Sequence, residues 1–367
     1  MTTLLQVNLN HARQAQDLFS HSLMERGCGI GVAAEPYFVP QGHPCWASDQ
    51  RSSVAITWLR NKNSPPASRL ENGEGYVAVQ WGRISVVGVY ISPNIDLARF
   101  EDRLQSIGEC IRRSPLPRPV IIARDFNAKS ALWGSPLTNR RGGVLEDWAS
   151  LGLCIFNRGS RSTCVRPQGE SIVDLTWAAP AAVHLVSGWE VLEKETASDH
   201  LYIKMTISAA APEMLSRRRD LETRPRRWVL RKMDENRLKA AILSSTWPEE
   251  GQGGKDADQQ ADWLRDTLTD ACDVAMPRAK SSPRRAAYWW TEEIATLRRA
   301  SIRTRRDFMR ARRRRSSSAE EVAEKYGVFR VVRDALVKAT RAAKAKAWTE
   351  LLQTLEEDLW GRPYHIL

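Results

Sequence analysis

Nine short runs of β-branched and other apolar residues punctuate the first 208 positions, at 4–10, 29–34, 53–59, 76–82, 84–92, 119–125, 153–157, 171–178 and 201–208. No convincing strand follows them. Many of the runs stop at Gly, Pro or Asn, and "GYVAVQWG" and "ISVVGVYIS" stand close enough for an antiparallel hairpin. Helical spacing falls between the runs at 11–26, with Asn10 as cap and Gly27 as stop, at 95–113 and near 142–151. This mixture predicts sheets packed face to face with helices outside. Residues 229–355 change character, being rich in Ala, Arg, Glu, Lys and Leu. There Ser318 and Glu321 form a capping box, and Val322, Tyr326, Phe329, Val332 and Leu336 recur at three- and four-residue steps. The expected organisation is a domain over 1–210, a linker over 211–228 and a basic helical spacer over 229–367.

At 367 residues and 42% hydrophobic content the chain can bury a sizeable core. No run of eighteen apolar residues occurs, and "MTTLLQVNLN" lacks the basic start and long apolar centre of a signal peptide, so a soluble intracellular protein is expected. The six cysteines include no C-x-x-C pair and the six histidines no H-E-x-x-H, which argues against a zinc site or a disulfide framework. The net charge is +12, unevenly placed: residues 1–210 hold 21 Lys and Arg against 19 Asp and Glu, the remainder 34 against 24. A basic tail of this kind suits a polyanion, because cations that neutralise phosphates release counterions. The competing reading is a solvated helix face. Within the tail "RARRRRSSS" reads as a nucleic-acid contact, a nuclear address or a solvated loop.

The run "RPVIIARDFNAKSALWG" ends in an acid, an aromatic and an amide. A carboxylate at the end of a buried strand is costly unless donors or a cation meet it, so Asp125 marks either a site or a turn cap. On a continuing strand Asp125 and Asn127 share one face. Other strand ends carry companions: Asn8 and Asn10 in "LLQVNLNH", Glu35 in "GVAAEPYF", Tyr90 in "VVGVYISP", Asp174 in "ESIVDLTW", and Asp199 with His200 in "TASDHLYI". Each alone has a structural reading, as turn cap, surface acid or core residue.

The ordered series N-L-N, A-E-P, V-Y-I-S-P, R-D-F-N-A-K-S, V-D-L and S-D-H, over residues 4 to 208, resembles the endonuclease/exonuclease/phosphatase superfamily. Within it the likeness is to the apurinic-endonuclease-like domain of arthropod non-LTR retrotransposon polyproteins. The tail segments "AAYWWTEEIATLRRA" and "EEDLWGRPYHIL" are similar to the spacer preceding their reverse transcriptase. The resemblance implies an α/β fold, a four-layer sandwich of two mixed β-sheets flanked by helices, with an α-helical C-terminal extension. It implies Mg²⁺-dependent nicking of one DNA strand, Mn²⁺ being a substitute ion. Glu35 would be the principal metal ligand, with Asn8 beside it and Asp199 at or near the metal shell. Asp125 would activate water, Asn127 hold the scissile phosphate, His200 with Asp174 stabilise the developing charge, and Tyr90 donate to the same phosphate. Asn10, Lys129, Arg140 and Arg141 would contact DNA. Element RNA would be a further partner through the basic tail, with no membrane, and the location would be nuclear.

Two departures accompany the likeness. Arg124 stands where the family has glycine, and strand alternation points it away from Asp125 toward the packed layer behind, where a guanidinium is costly unless paired. That substitution bears on the activity of this copy. No Asp-Asp dipeptide occurs, so the paired aspartates of a polymerase hairpin are missing and the chain reads as endonuclease plus spacer. The alternatives are a catalytically inactive nucleic-acid-binding remnant, or another phosphoesterase on the same scaffold.

Overall fold

The computed structural model describes residues 2–60, 64–113, 119–150, 152–157, 161–208, 228–246, 256–278, 287–314 and 316–357. The chain opens with β1 (Thr2–Asn8), α1 (Arg13–Arg26), β2 (Ile30–Ala34), β3 (Trp46–Ser48) and β4 (Val54–Trp58). Next come β5 (Ala67–Gly73), β6 (Tyr76–Trp81), β7 (Ile84–Tyr90), α2 (Leu97–Arg113) and β8 (Val120–Asp125). Then follow α3 (Arg140–Ser150), β9 (Cys154–Ile155), β10 (Cys164–Arg166), β11 (Gly169–Ser171), β12 (Asp174–Ala178) and α4 (Pro180–Val183). The last strands are β13 (Val186–Val191) and β14 (Ile203–Ile207), before α5 (Glu235–Ser245), α6 (Ala257–Ala275), α7 (Glu292–Arg313) and α8 (Ala319–Glu357).

Two six-stranded mixed sheets carry the fold, ordered β13-β14-β1-β2-β4-β3 and β5-β6-β7-β8-β12-β9, with β10-β11 as a separate hairpin. Strands that are apolar on both faces must be covered on both faces, and three buried clusters do this. Val32, Ile56, Val79, Val86 and Ile121 fill the space between the sheets. Phe100, Leu104, Ile107 and Leu145 of α2 and α3 cover the outer face of the second sheet. Leu18, Phe19 and Leu23 of α1, joined by Trp289, Ile294 of α7 and Leu336 of α8, cover the first sheet. The four-layer sandwich expected from the sequence is therefore present. The two last helices complete its outer layer.

The chain divides into two compact units, Met1–Pro212 with Ala286–Leu367, and Glu213–Arg285. The expected spacer at 229–367 is thus shared between them. In the smaller unit α5 and α6 pair as a helical hairpin, with Asp234 capping α5 through Asn236 and Arg237 and a full capping box of Asp256 and Gln259 opening α6. In the larger unit α7 is fixed to the sandwich by buried polar contacts. Arg298, 5% exposed, donates to Glu25 (3.1 Å) and Ser22 (3.0 Å), and its guanidinium lies over Trp290, which stacks on His21 at 3.8 Å. Ser301 Oγ donates to Glu195 Oε2 at 2.6 Å, both fully buried. Lys344 of α8 reaches Asp17 of α1 at 2.6 Å. These contacts explain the "YWW" segment and the arginine spacing of α7, whose buried face is partly cationic.

Several elements differ from the expected ones. The cap of α1 is Ala12, with no side-chain bond, whereas Asn10 lies outside the helix in the left-handed region (φ 49°). Gly27 does close the helix (φ 59°), its amide donating to the end of α1. The expected run 171–178 is split between β11 and β12. β5 and β13 escape notice because they are edge strands of mixed polar sequence, "ASRLENG" and "VSGWEV", with largely half-buried or exposed residues. The six cysteines form no disulfide, and no helix among the described residues is long and apolar enough to cross a membrane. Replacing Ser301 with Ala leaves the buried Glu195 carboxyl short of a donor, and urea unfolding of the Ser301→Ala chain is expected to show a loss of about 1–3 kcal/mol.

Candidate active site

The strand ends of both sheets meet on one rim. β1 and β2 run parallel in register, Asn8 opposite Ala34, so Asn8 and the following Glu35 stand side by side at the edge of the first sheet. In the second sheet Asp125 is the residue opposite both Tyr90 on β7 and Asp174 on β12, which places three functional side chains in one row. At this rim two side-chain hydrogen bonds join the sheets: Asn8 Nδ2 donates to Asp125 Oδ2 (2.9 Å) and Tyr90 Oη to Glu35 Oε1 (2.5 Å). Away from it Thr176 Oγ1 of β12 donates to Gln6 Oε1 of β1 (3.2 Å) and accepts from Trp189 Nε1 of β13 (3.1 Å). His200 enters from the loop before β14, bridged to Cys164, and its Nδ1 lies 2.8 Å from Asp174 Oδ2. Since a carboxylate accepts, Nδ1 carries the proton there. Asp125, Asp174 and His200 present ligand atoms all within 4.8 Å of one another, a grouping able to hold a metal ion.

Both sequence readings of Asp125 are realised. Its Oδ1 accepts the Asn127 amide (3.0 Å) and so caps the turn that ends β8, while Oδ2 faces Asn8. Asn127 does not continue the strand; it sits at φ 50° with its Nδ2 donating to Ile91 O (3.1 Å). Glu35 (φ 44°), Asn10 (φ 49°) and His11 (φ 52°) share this left-handed geometry on the same rim. For non-glycine residues that conformation is strained and is found where surrounding contacts hold it for function. Arg124 pairs by its backbone with Val89 and Leu175; its side chain lies outside the described residues.

Burial sets the electrostatics. Asp125 is 1% exposed, and desolvation, followed by the nearby Asp174 carboxylate, pushes its carboxyl up to about 7 against the opposing pull of His200, Asn8 and the Asn127 amide. His200 is 2% exposed. Burial opposes its charge, yet the Asp174 carboxylate outweighs this with help from Cys164 and Asp125, so the imidazole is held well above its ordinary range. Tyr90 is pushed up, first by burial and then by its bond to Glu35, and stays a neutral donor.

The remaining expected residues are placed as follows. Asp199 stands beside His200 with its carboxylate shared by Arg166 (3.6 Å) and Arg333 of α8 (3.5 Å). Asn10, Lys129 and Arg140 are exposed near the strand ends of their sheets. Arg141 is engaged otherwise: it donates to Ser92 O (2.9 Å), Pro93 O (3.1 Å) and Ile95 O, and lies over Phe100. Its role is to clasp the loop after β7. Next to it Gly142 allows the close passage of Lys129 O, which a Cβ would meet at 1.9 Å.

Four supporting residues had no separate signal in the sequence. Ser198 Oγ donates to Asn8 O (2.8 Å), Asn157 Nδ2 to Asp174 O (2.9 Å), and Thr163 Oγ1 accepts the Asp174 amide (3.1 Å), fixing the first row from behind. His11 Nε2 lies 3.6 Å from Glu35. Of the four, Ser198 in "SDH" and His11 in "LLQVNLNH" stood within quoted stretches.

Residues 84–204 match the family described as Endonuclease-reverse transcriptase. Over these residues the chain is similar to endonucleases of retrotransposons. The whole chain is 29% identical to the putative 115 kDa protein in type-1 retrotransposable element R1DM of Drosophila melanogaster, of which it spans 37% of the length. The solved endonuclease domain of TRAS1, a telomere-specific non-LTR retrotransposon, is 25% identical with a TM-score of 0.51, the match covering 57% of this chain and 99% of that one.

The Asn8 bond to Asp125 yields a pH-dependent prediction. Because the Asp125 carboxyl is raised from 3.8 to about 7, the stability it lends is present below its unfolded value and lost as pH rises through 7. At pH 8 Asn8 donates to a carboxylate and at pH 5 to a largely neutral carboxyl. Denaturant unfolding in EDTA should therefore show Asn8→Ala costing about 1–3 kcal/mol at pH 8 and about half that at pH 5. An equal cost at both would contradict the raised Asp125 value.

Proposed function

We propose that this chain hydrolyses a phosphodiester in one strand of duplex DNA, leaving a 3′-hydroxyl, with Mg²⁺ as resident ion and Mn²⁺ as substitute. The observation that carries the reading is the joining of Asn8, Asp125, Glu35 and Tyr90 across two sheets on the rim where Asp174 fixes His200. The donor set fits a hard cation, since Glu35 and Asn8 offer only oxygen from adjacent strand ends. When bound, such an ion neutralises charge on the phosphate oxygens. Glu35 and Asn8 would hold it, and Tyr90, a neutral hydroxyl, donates its single proton to the Glu35 carboxylate and turns it to the phosphate when substrate displaces that bond. Asp125, raised to about 7, accepts a proton from water at neutral pH, where a carboxyl of ordinary value is a poorer base. His200, charged and steadied by Asp174, donates from Nε2 to a phosphate oxygen and stabilises the charge that develops there. Asn127 bounds the phosphate position.

DNA lies across the strand ends, with Asn10, Lys129 and Arg140 as exposed contacts. The relatives are proteins of mobile elements, one of them described as telomere-specific, and a nick with a 3′-hydroxyl is the end from which an intact element primes reverse transcription. A nuclear location follows from that substrate. Asp199 serves the metal shell at one remove, with Arg166 and Arg333 holding its carboxylate.

Relaxation of supercoiled plasmid by the full chain tests the reading. Nicking is expected with Mg²⁺ and none in EDTA. His200→Ala should slow it by about 10²–10⁴-fold, and Asp174→Asn by less. Nicking restored only by Arg124→Gly would keep the chemistry and assign the defect to that position, whereas no nicking by either chain with Mg²⁺ or Mn²⁺ would overturn the proposal.

A further inference from the structure

Beside the catalytic rim, α7 and the loop between β13 and β14 enclose a cavity of about 440 Å³, a size that admits a nucleotide. Its lining is heavily cationic: Arg161, Lys194, Arg305, Arg306, Arg310 and Arg314 all face it, against Glu193. Glu193 is already taken by Arg161 and by Arg306, the latter at 2.8 Å. Arg310 reaches Asp307 on its own helix at 3.1 Å. Lys194 and Arg314 form no ion pair among the described residues. Burial, then the neighbouring Arg26 and Arg298, hold the Lys194 ammonium below its ordinary range, as expected where positive potential goes uncompensated.

The second observation is Arg305. It is 8% exposed, lies over Phe329, and its Nη1 has no hydrogen-bond partner. A buried guanidinium nitrogen without an acceptor is costly, and Arg305 is among the residues that line the cavity. The cavity adjoins the chain segment that bears His200. Leu201, on its wall, follows His200 directly, and Val165, also on its wall, donates its amide to Asp199 O at 2.8 Å.

We propose that this cavity binds a backbone phosphate of nucleic acid running away from the rim, with Lys194 and Arg314 donating to phosphate oxygens and the buried Arg305 guanidinium adding positive charge behind them. The segment that carries Arg305 and Arg314 belongs to the C-terminal helices, so the tail supplies part of the substrate surface as well as an outer layer. The proposal rests on the nuclease reading for the path of the strand. Duplex DNA and single-stranded RNA offer the same phosphodiester, and the experiment separates them.

The test is fluorescence anisotropy of the full chain in EDTA against labelled duplex DNA and single-stranded RNA of equal length, across a salt series. The Lys194→Glu, Arg314→Glu double variant alters only solvent-reaching side chains, and Arg305→Met removes the buried charge. Each is expected to weaken binding and to flatten the plot of log affinity against log salt by about one unit per cation removed. Thermal unfolding checks that each variant folds, and the double variant decides if Arg305→Met does not. Loss confined to DNA assigns the cavity to target DNA, and loss confined to RNA assigns it to RNA. Unchanged affinity and slope for both, or no binding by the parent chain, would overturn the proposal. Because EDTA abolishes metal-dependent chemistry, a chain that nicks normally while the variants bind normally sinks the cavity alone. A chain that never nicks yet shows the variant losses sinks only the nuclease reading.

Discussion

The hydrogen bond from Asn8 to Asp125 is the constraint on which the rest of the site depends. Two sheets packed through apolar side chains can slide, because dispersion contacts have little directional preference. A buried carboxylate at their mouth removes that freedom. Asp125 is costly in its position unless donors meet it, and the two it has come from different places, Asn8 of the first sheet and the amide of Asn127 in its own turn. Any slip of one sheet against the other would strand the carboxylate. The bond between Tyr90 and Glu35 repeats the arrangement one strand along. The register of the sandwich and the alignment of the site are therefore fixed by the same contacts.

A consequence is that the reactive groups stand in environments that move them in useful directions. Asp125 and His200 are both nearly inaccessible, yet burial has opposite outcomes. For Asp125 desolvation and the neighbouring Asp174 act together and raise the carboxyl toward neutrality. For His200 the same Asp174 acts against desolvation and keeps the ring protonated. One carboxylate thus raises both neighbours, adding to desolvation at Asp125 and overcoming it at His200, which is the basis of the proton-transfer roles proposed for them.

The fold was legible where periodicity is strong. The runs at 76–82 and 84–92, buried on both faces, became β6 and β7 almost unchanged, and 119–125 became β8. The edge strand β9 fell within the run at 153–157, whereas the edges β5 and β13 were not legible, because they carry polar residues that read as loop. The site was legible as a set of strand-end residues, and the structure brings Asn8, Glu35, Tyr90, Asp125, Asp174 and His200 together. What periodicity misjudged was direction beyond the strand end. Asn127 was aligned with Asp125 on a continuing strand, but the chain turns at Asp125 and Asn127 adopts φ 50°. Arg141 read as a surface cation and proves to clasp three carbonyls, because its carbonyl partners at 92–95 lie about fifty positions away. Ser198, Asn157 and Thr163 were illegible for the same reason, each acting through backbone atoms distant in sequence.

The tail shows where charge counting falls short. Its basic excess suggested a helical polyanion-binding appendage or a solvated helix face, yet several of its cations are structural. Arg298 is buried against Glu25 and Ser22, Arg333 reaches Asp199, and Lys344 reaches Asp17. An arginine buried in an interface is tolerated only with partners, and its long apolar stem packs while the fork finds acceptors. α7 follows this rule in part: Arg298 bonds Glu25 and Ser22 while its Nε finds no acceptor, and Arg305 Nη1 is likewise without one. Arg305 lies one turn beyond Ser301, which holds Glu195. The loop bearing Asp199 and His200 is therefore gripped by the tail on one side and by the sandwich on the other. The helices that follow the domain in sequence are part of what shapes its active edge.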